Sequence, residues 1–349
     1  MKKLLKSSIR YLLGKKEHST NSIENDIFSR NIPLYTKTFG SLNADKQFYV
    51  IRQPSSGRGL FSLFSSVLCH LDICESLGWI PVIDFQHFPC VYNDSEVEGN
   101  ENAWEYYFEP VSQYTLEEVY SSKNVFFSVP NYPSGYSYSI TAEPKLHKVF
   151  DKYIRFKPFI LETVESYSRK NFRNLQILGV HFRGQEMKTA PGHWYPPTKK
   201  QIKSAINTMQ EKYNFDAIFV VTEDAGYLDF IRSTNKVDVL ANDHYRTYGT
   251  NAYKEFPRNR HLFLLGQEVL IDTLLLARCH GIIYCTSNVA TVSDFINNSE
   301  YKGKIKINNG PNFSDPILAK HSYSIKNLLP SHLGGFSTNF DILEKEQVI

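Results

Sequence analysis

The sequence predicts an α/β protein made of two Rossmann-like domains facing a cleft. Three observations lead there. Short apolar runs that end in polar residues alternate with amphipathic stretches, the rhythm of buried parallel strands and their covering helices. In the first half a Gly57-Arg58-Gly59 turn opens a helical pattern between two such runs. In the second half the run Leu175 to Val180 stops abruptly in His181-Phe182-Arg183-Gly184-Gln185-Glu186, where open α/β sheets carry their ligand-binding groups. A chain of 349 residues is also too long for one ordinary core. The expected division is a basic segment and connection over 1–30, an N-terminal α/β domain over 31–170, a C-terminal Rossmann-like domain over 171–330 and a tail over 331–349.

Residues 1–16 carry Lys2, Lys3, Lys6, Arg10, Lys15 and Lys16 and no acid. Leu4, Leu5, Ile9, Leu12 and Leu13 fall near helical spacing. The segment reads either as a basic amphipathic helix on an anionic membrane surface or as a solvated terminus. Gln47 to Arg52 alternates into a strand, and Leu60, Phe61, Phe64, Val67, Leu68, Leu71 and Cys74 mark one helical face. Gly78 ends that helix, and Ile80 to Phe85 completes a βαβ unit. Gly57, Arg58 and Gly59 are ligand-binding candidates, because glycines admit close backbone approach and a helix start favours negative charge. The same turn serves plain chain reversal equally well, and the third glycine of the dinucleotide fingerprint is missing. Residues 86–145 read as irregular and rich in aromatics such as Trp104, Tyr106, Tyr107 and Phe108, which either stack on sugars or fill a core. Lys145 to Lys170 reads as helical.

In the second half, Thr198 to Gln201 fits a capping box that opens a helix to about Lys212. Ala217 to Val221 and Val237 to Leu240 read as strands, Gly266 to Cys279 as a helix, and Gly281 to Cys285 as a strand leading through Thr286-Ser287-Asn288 into another helix. Arg183 at a strand end suits an anion such as a phosphate, or a structural carboxylate. Asp272 lies in the apolar stretch Val269 to Leu276, where a carboxylate needs donors. The two adjacent N–H donors of a guanine edge would supply them, as would a neighbouring loop. Thr286, Ser287 and Asn288 offer hydroxyls and free N–H groups suited to a pyrophosphate, or merely cap a helix.

Composition excludes several classes. Hydrophobic residues make up 42% and charged residues 21%, values of a soluble globular protein. No apolar run reaches the ~18–20 residues that cross a bilayer, and Lys6 and Arg10 interrupt any leader pattern. The net charge is +3, but without the six N-terminal cations 33 basic residues face 36 acidic ones, so the body is no nucleic-acid binder. Cys69, Cys74, Cys90, Cys279 and Cys285 show no metal-ligand spacing and read as reduced core thiols of a cytoplasmic protein. No Asp-x-Asp occurs; the nearest is Asp94-Ser95-Glu96, so no metal is expected.

The Gly57-Arg58-Gly59 turn, His181 to Glu186, Thr222-Glu223-Asp224, and Asp272 followed by Thr286-Ser287-Asn288-Val289 stand in an order that resembles the fucosyltransferase superfamily. That group includes the α1,6-fucosyltransferases, the nodulation-factor fucosyltransferases and the protein O-fucosyltransferases. The resemblance spans about residues 47–300 and implies an α/β, GT-B-like fold and a metal-independent, inverting transfer of fucose from GDP-fucose to a glycan, with no further cofactor. It implies that Arg183 binds the β-phosphate, that Asp272 with His181 reads guanine, and that Ser287 and Asn288 contact phosphate. Glu186 and His193 are the nearest candidates for the base, with Asp84 as a third, and Glu186 serves equally well to hold Arg183. The departures are Gly184 in place of a second arginine, Gln185-Glu186 in place of Thr-Asp, Met187 where a lysine is expected with Lys188 one place on, and Pro191 where a glutamate stands. The expected setting is bacterial surface-polysaccharide synthesis on a lipid-linked acceptor, at the inner face of the plasma membrane through residues 1–16. Alternatives are another sugar nucleotide as donor, or a nucleotide-binding relative without activity.

Overall fold

The computed structural model describes residues 35–52, 57–128, 140, 144–184, 186–298 and 300–344. The basic segment 1–16 and the connection after it lie outside the described residues. The chain divides into two compact units: Met1–Leu161 with Arg260–Gln267, and Glu162–Asn259 with Glu268–Ile349. The boundary at 161/162 falls inside a helix, and the short segment Arg260–Gln267 joins the first unit, a grouping that no sequence pattern marks.

The first unit is built on a four-stranded sheet. Its strands are β1 (Tyr35–Lys37), β2 (Phe48–Arg52), β3 (Ile80–Asp84) and β4 (Val125–Phe127), in the order β1-β4-β2-β3. β2 runs parallel to both β3 and β4, and β1 closes the edge antiparallel. Helix α1 (Leu60–Leu77) makes the crossover between β2 and β3 and ends at Gly78 in the left-handed conformation. Every residue of β2 is buried. Alternation sends Phe48 and Val50 into a cluster with Val82, Val119, Val125 and Phe127, while Tyr49 turns the other way and meets His70 of α1 at 3.0 Å. By length and composition α1 could cross a membrane, but most of it is buried inside this unit, as a core helix should be.

The described part of the stretch that reads as irregular also contributes core. It carries the short helix α2 (Leu116–Val119) and the inner strand β4. Trp104, Tyr107 and Phe108 are almost wholly buried, so most of these rings fill the core. The single helix expected over 145–170 is two, α3 (Lys145–Tyr153) and α4 (Pro158–Asn171). Pro158 starts the second and pushes the residue before it out of helical conformation.

The second unit holds a six-stranded sheet in the order β10-β9-β8-β5-β6-β7. Its members are β5 (Ile177–His181), β6 (Ala217–Val221), β7 (Asp238–Leu240), β8 (Gly281–Cys285), β9 (Gly303–Ile307) and β10 (Leu343–Glu344). All pairings are parallel except β10 against β9. Thus part of the segment expected as a tail completes the sheet. The connecting helices are α5 (Lys199–Tyr213), α6 (Ala225–Thr234), α7 (His261–Leu276), α8 (Asn288–Asn297) and α9 (Pro316–Leu328). The capping box forms as the sequence indicates, with Thr198 N–H donating to Gln201 at 3.0 Å and Gln201 N–H to Thr198 Oγ1 at 3.1 Å. All five cysteines are buried and unbridged.

Helix α7 starts five residues before the expected Gly266. The carboxylate of Asp94 accepts from the N–H groups of Leu262 and Phe263 at 3.1 and 3.4 Å, satisfying donors that a helix start leaves open. Gly266 is therefore interior. A Cβ there would lie 2.0 Å from Tyr107 Oη, whose hydroxyl donates to Phe263 O at 2.8 Å. In an open helix Gly→Ala gains about 1 kcal/mol, but overpacking costs about 1–3 kcal/mol. Gly266→Ala should therefore lower the melting temperature; a rise would show that the Tyr107 ring yields without cost.

Candidate functional site

β5 lies between β6 and β8, and the chain leaves it first to one side and then to the other. The carboxyl ends of β5 and β8 thus flank a topological switch point, where open α/β sheets bind ligands. β5 can sit close under α7 because of Gly179, where a Cβ would come within 2.5 Å of Leu276.

His181 ends β5 and is 3% exposed. Its Nδ1 is buried and has no hydrogen-bond partner among the described residues. Burial, aided by the nearby Arg183 charge and opposed by Asp272, lowers its pKa to about 3, so the ring is neutral. Two residues on, Arg183 is half-buried and makes no ion pair or hydrogen bond among the described residues. Its charge is also felt at the buried thiol of Cys285, the last residue of β8. Of the two uses the sequence left open for this arginine, a structural carboxylate is not the one found among the described residues.

The turn after β8 supplies the other half. Ser287 is the N-cap of α8, yet its side chain makes no cap bond. Ser287 Oγ and Asn288 Oδ1 are both buried without partners among the described residues, and Thr286 beside them is half-buried. A helix N-terminus with open N–H groups and unpartnered polar side chains is a site for an anion.

Asp272 is 6% exposed. Its Oδ1 accepts from Asn242 Nδ2 at 2.6 Å, and His244 Nδ1 lies 3.1 Å from the same oxygen. That approach is close enough for an ion pair but not aligned as a hydrogen bond. Oδ2 has no protein partner among the described residues. Arg246 braces this loop, donating to Thr222 O, Asn242 O and His244 O at 3.1, 2.8 and 3.1 Å, with its Nη2 buried and unbonded. Sequence reasoning missed Asn242, His244 and Arg246; the available signal was the polar cluster Asn242 to Arg246 directly after a short strand.

The remaining candidates divide. Thr222 Oγ1 donates to Phe182 O at 2.6 Å, Glu223 accepts from Gly184 N–H at 3.0 Å, and Asp224 caps α6. Thr222-Glu223-Asp224 therefore fastens β6 to the loop after β5. A Cβ on Gly184 would come within 3.0 Å of Pro196 and 3.1 Å of the Tyr227 hydroxyl, so a larger residue there would press on both. Lys188 stands over the rings of Tyr227 and Tyr323 at 5.0 and 5.8 Å, its pKa lowered by burial. Glu186 accepts from Asn251 Nδ2, and His193 is exposed. Gly57, Arg58 and Gly59 lie in the first unit. Neither glycine there has a positive φ, and a Cβ on Gly57 would meet open space. Asp84 is wholly buried and accepts from Tyr120, His87 and two backbone N–H groups.

The same α/β, GT-B-like fold class is found in solved fucosyltransferases. NodZ α1,6-fucosyltransferase soaked with GDP-fucose matches 75% of this chain and 95% of its own, at 16% identity and a TM-score of 0.53. Selenomethionine NodZ from Bradyrhizobium matches 86% and 99%, at 15% identity and a TM-score of 0.55. NodZ co-crystallised with GDP matches 76% and 96%, at 17% identity and a TM-score of 0.51. At such identities the likeness concerns the fold. No family model and no curated protein sequence matches the chain.

Unfolded histidine titrates near ~6.5, whereas folded His181 does so at about 3. Between those values the unfolded chain holds a proton that the folded chain lacks, so stability falls as pH falls. The slope from this residue is up to about 1.4 kcal/mol per pH unit. His181→Asn should flatten the loss of unfolding free energy between pH 7 and 5 by about 1–2 kcal/mol. An unchanged pH dependence would mean that the folded ring takes up protons freely.

Proposed function

We propose that this chain is a glycosyltransferase that moves fucose from GDP-fucose to a glycan acceptor with inversion. One observation carries the reading: His181 Nδ1, Ser287 Oγ and Asn288 Oδ1 are buried without partners among the described residues, beside the unengaged guanidinium of Arg183. Buried polar atoms rarely stay unbonded, and a sugar nucleotide across the ends of β5 and β8 would complete them. The likeness in fold to NodZ soaked with GDP-fucose supports the choice of donor.

In this reading Asp272 accepts from guanine through its open Oδ2, while Asn242 and His244 hold the carboxylate in place. Arg183 and the start of α8 meet the diphosphate. As the acceptor oxygen bonds to C1 of the sugar, the bond from C1 to the phosphate oxygen breaks and negative charge grows on the leaving diphosphate. Fixed donors aimed at such charge are worth about 3–4 kcal/mol each. Neutral His181 adds a hydrogen bond without a charge. The acceptor proton needs a base, and Glu186 and His193 are the candidates on the adjoining loop. The proposed setting is bacterial surface-polysaccharide synthesis, and the basic and apolar pattern of residues 1–16 supports a lipid-linked acceptor reached by a cytoplasmic enzyme held to the membrane.

A second reading has its own support. Asn251 already occupies Glu186, and no partner orients the exposed His193 side chain among the described residues, so a nucleotide-binding protein without transfer is the rival. Release of GDP from GDP-fucose by the purified protein separates the two.

Calorimetry should show GDP binding and no UDP binding, with Asp272→Asn weakening GDP by about 1–3 kcal/mol because its amide turns a donor toward guanine. Equal affinity for the two nucleotides would remove the guanine assignment. Arg183→Lys keeps the charge but loses the planar fork. It should cut transfer by roughly 100-fold or more with the melting temperature unchanged; near-normal turnover would make Arg183 peripheral.

A further inference from the structure

We propose that the first unit contains a saccharide-binding cavity suited to neutral or amino-bearing sugars and closed to anionic ones. The inference rests on the transferase reading only in identifying this sugar with the acceptor. A cavity of about 1130 Å³ opens beside the carboxyl end of β3. Its walls mix the half-buried ring of Tyr114 with the amides of Gln86 and Gln113 and the carboxylates of Glu105 and Glu117, while Trp104 backs the wall from the core. Rings offer faces for the C–H side of a sugar, and amides and carboxylates meet its hydroxyls. A purely apolar ligand would leave those polar groups unpaired.

Charge narrows the choice. No lysine or arginine is among the described lining residues. Glu101, also in the wall, is already held by both arms of Arg260 at 3.2 and 2.8 Å. Glu105 accepts from the neutral amide of Asn102, at 3.0 Å, and neither it nor the exposed Glu117 has a cationic partner among the described residues. Arg260 is taken up by Glu101, and Lys46, over the Tyr114 ring at 5.7 Å, by Asn43 and Asp45, so a phosphate or uronate would meet unpaired carboxylates first, whereas an ammonium would be attracted.

One wall residue is aimed. His87 Nδ1 lies 2.9 Å from Asp84 Oδ2, and the wholly buried Asp84 is itself fixed by Tyr120 Oη at 2.5 Å and by the N–H groups of Gln86 and His87. The ring is thus held in one orientation, with 19% of the side chain exposed. Its Nε2 has no protein partner among the described residues. With Nδ1–H donated to Asp84, Nε2 is an acceptor for a sugar hydroxyl.

Saturation-transfer NMR on the full-length protein with cellotetraose, tetraglucosamine, tetragalacturonate and tetralysine tests this. Transfer is expected to tetraglucosamine above cellotetraose and not to tetragalacturonate. His87→Ala, and the milder His87→Gln should the first misfold, are expected to weaken the favoured sugar about tenfold. The exposed pair Glu105→Lys with Glu117→Lys should reverse the order in favour of the uronate. Binding of the uronate by the unmodified protein, binding of no saccharide, preference for tetralysine, or binding indifferent to these substitutions would each overturn the proposal. GDP calorimetry on the same samples keeps the readings apart: loss of GDP binding in the unmodified protein counts against the transferase, and the sugar pattern alone decides the cavity.

Discussion

Burial of the Asp272 carboxylate is the constraint from which the second unit's polar architecture follows. A buried carboxylate without compensation costs several kcal/mol, so the loop after β7 is bent to meet it. Asn242 supplies the hydrogen bond, His244 supplies a nearby ring nitrogen, and Arg246 ties the loop's own carbonyls to Thr222 at the end of β6. Among the described residues all of this compensation falls on one oxygen, Oδ1, and none on Oδ2.

The opposite principle shapes the ends of β5 and β8. There the fold withholds partners instead of supplying them. Ser287 occupies an N-cap position without capping, and His181 is buried deeply enough to stay neutral yet keeps an open nitrogen. Such atoms are tolerated because the surrounding backbone is firmly set: Gly179 lets β5 lie against α7, and Phe182 stacks on Tyr227 with ring centroids 3.8 Å apart. A rigid frame holding unsatisfied groups has the character that preorganised binding requires.

In the first unit two acids do structural work that their sequence settings hide. Asp94 sits in what reads as an irregular loop and caps α7. Asp84 reads as a candidate base, but its two oxygens take four hydrogen bonds and serve to hold His87 and Tyr120. The group presented to the cavity is the histidine behind which the acid stands.

Sequence alone determined the alternation of strands and helices, the bounds of β6 and β8 and the capping box of α5, because these follow from local periodicity and from contacts within four residues. It also marked Arg183, His181, Asp272 and Ser287, since polar groups at strand ends and in apolar stretches stand out without coordinates. Strand β4 was not legible: three residues in an aromatic stretch have no period, and only pairing with β1 and β2 makes them a strand. Nor was the early start of α7, which depends on a carboxylate 168 residues away, or the break before Pro158 between α3 and α4. The partners of Asp272, and the lack of one for Arg183 among the described residues, were likewise decided by tertiary structure. Whether a charged group is paired depends on which distant loops fold against it, and no local pattern carries that distance.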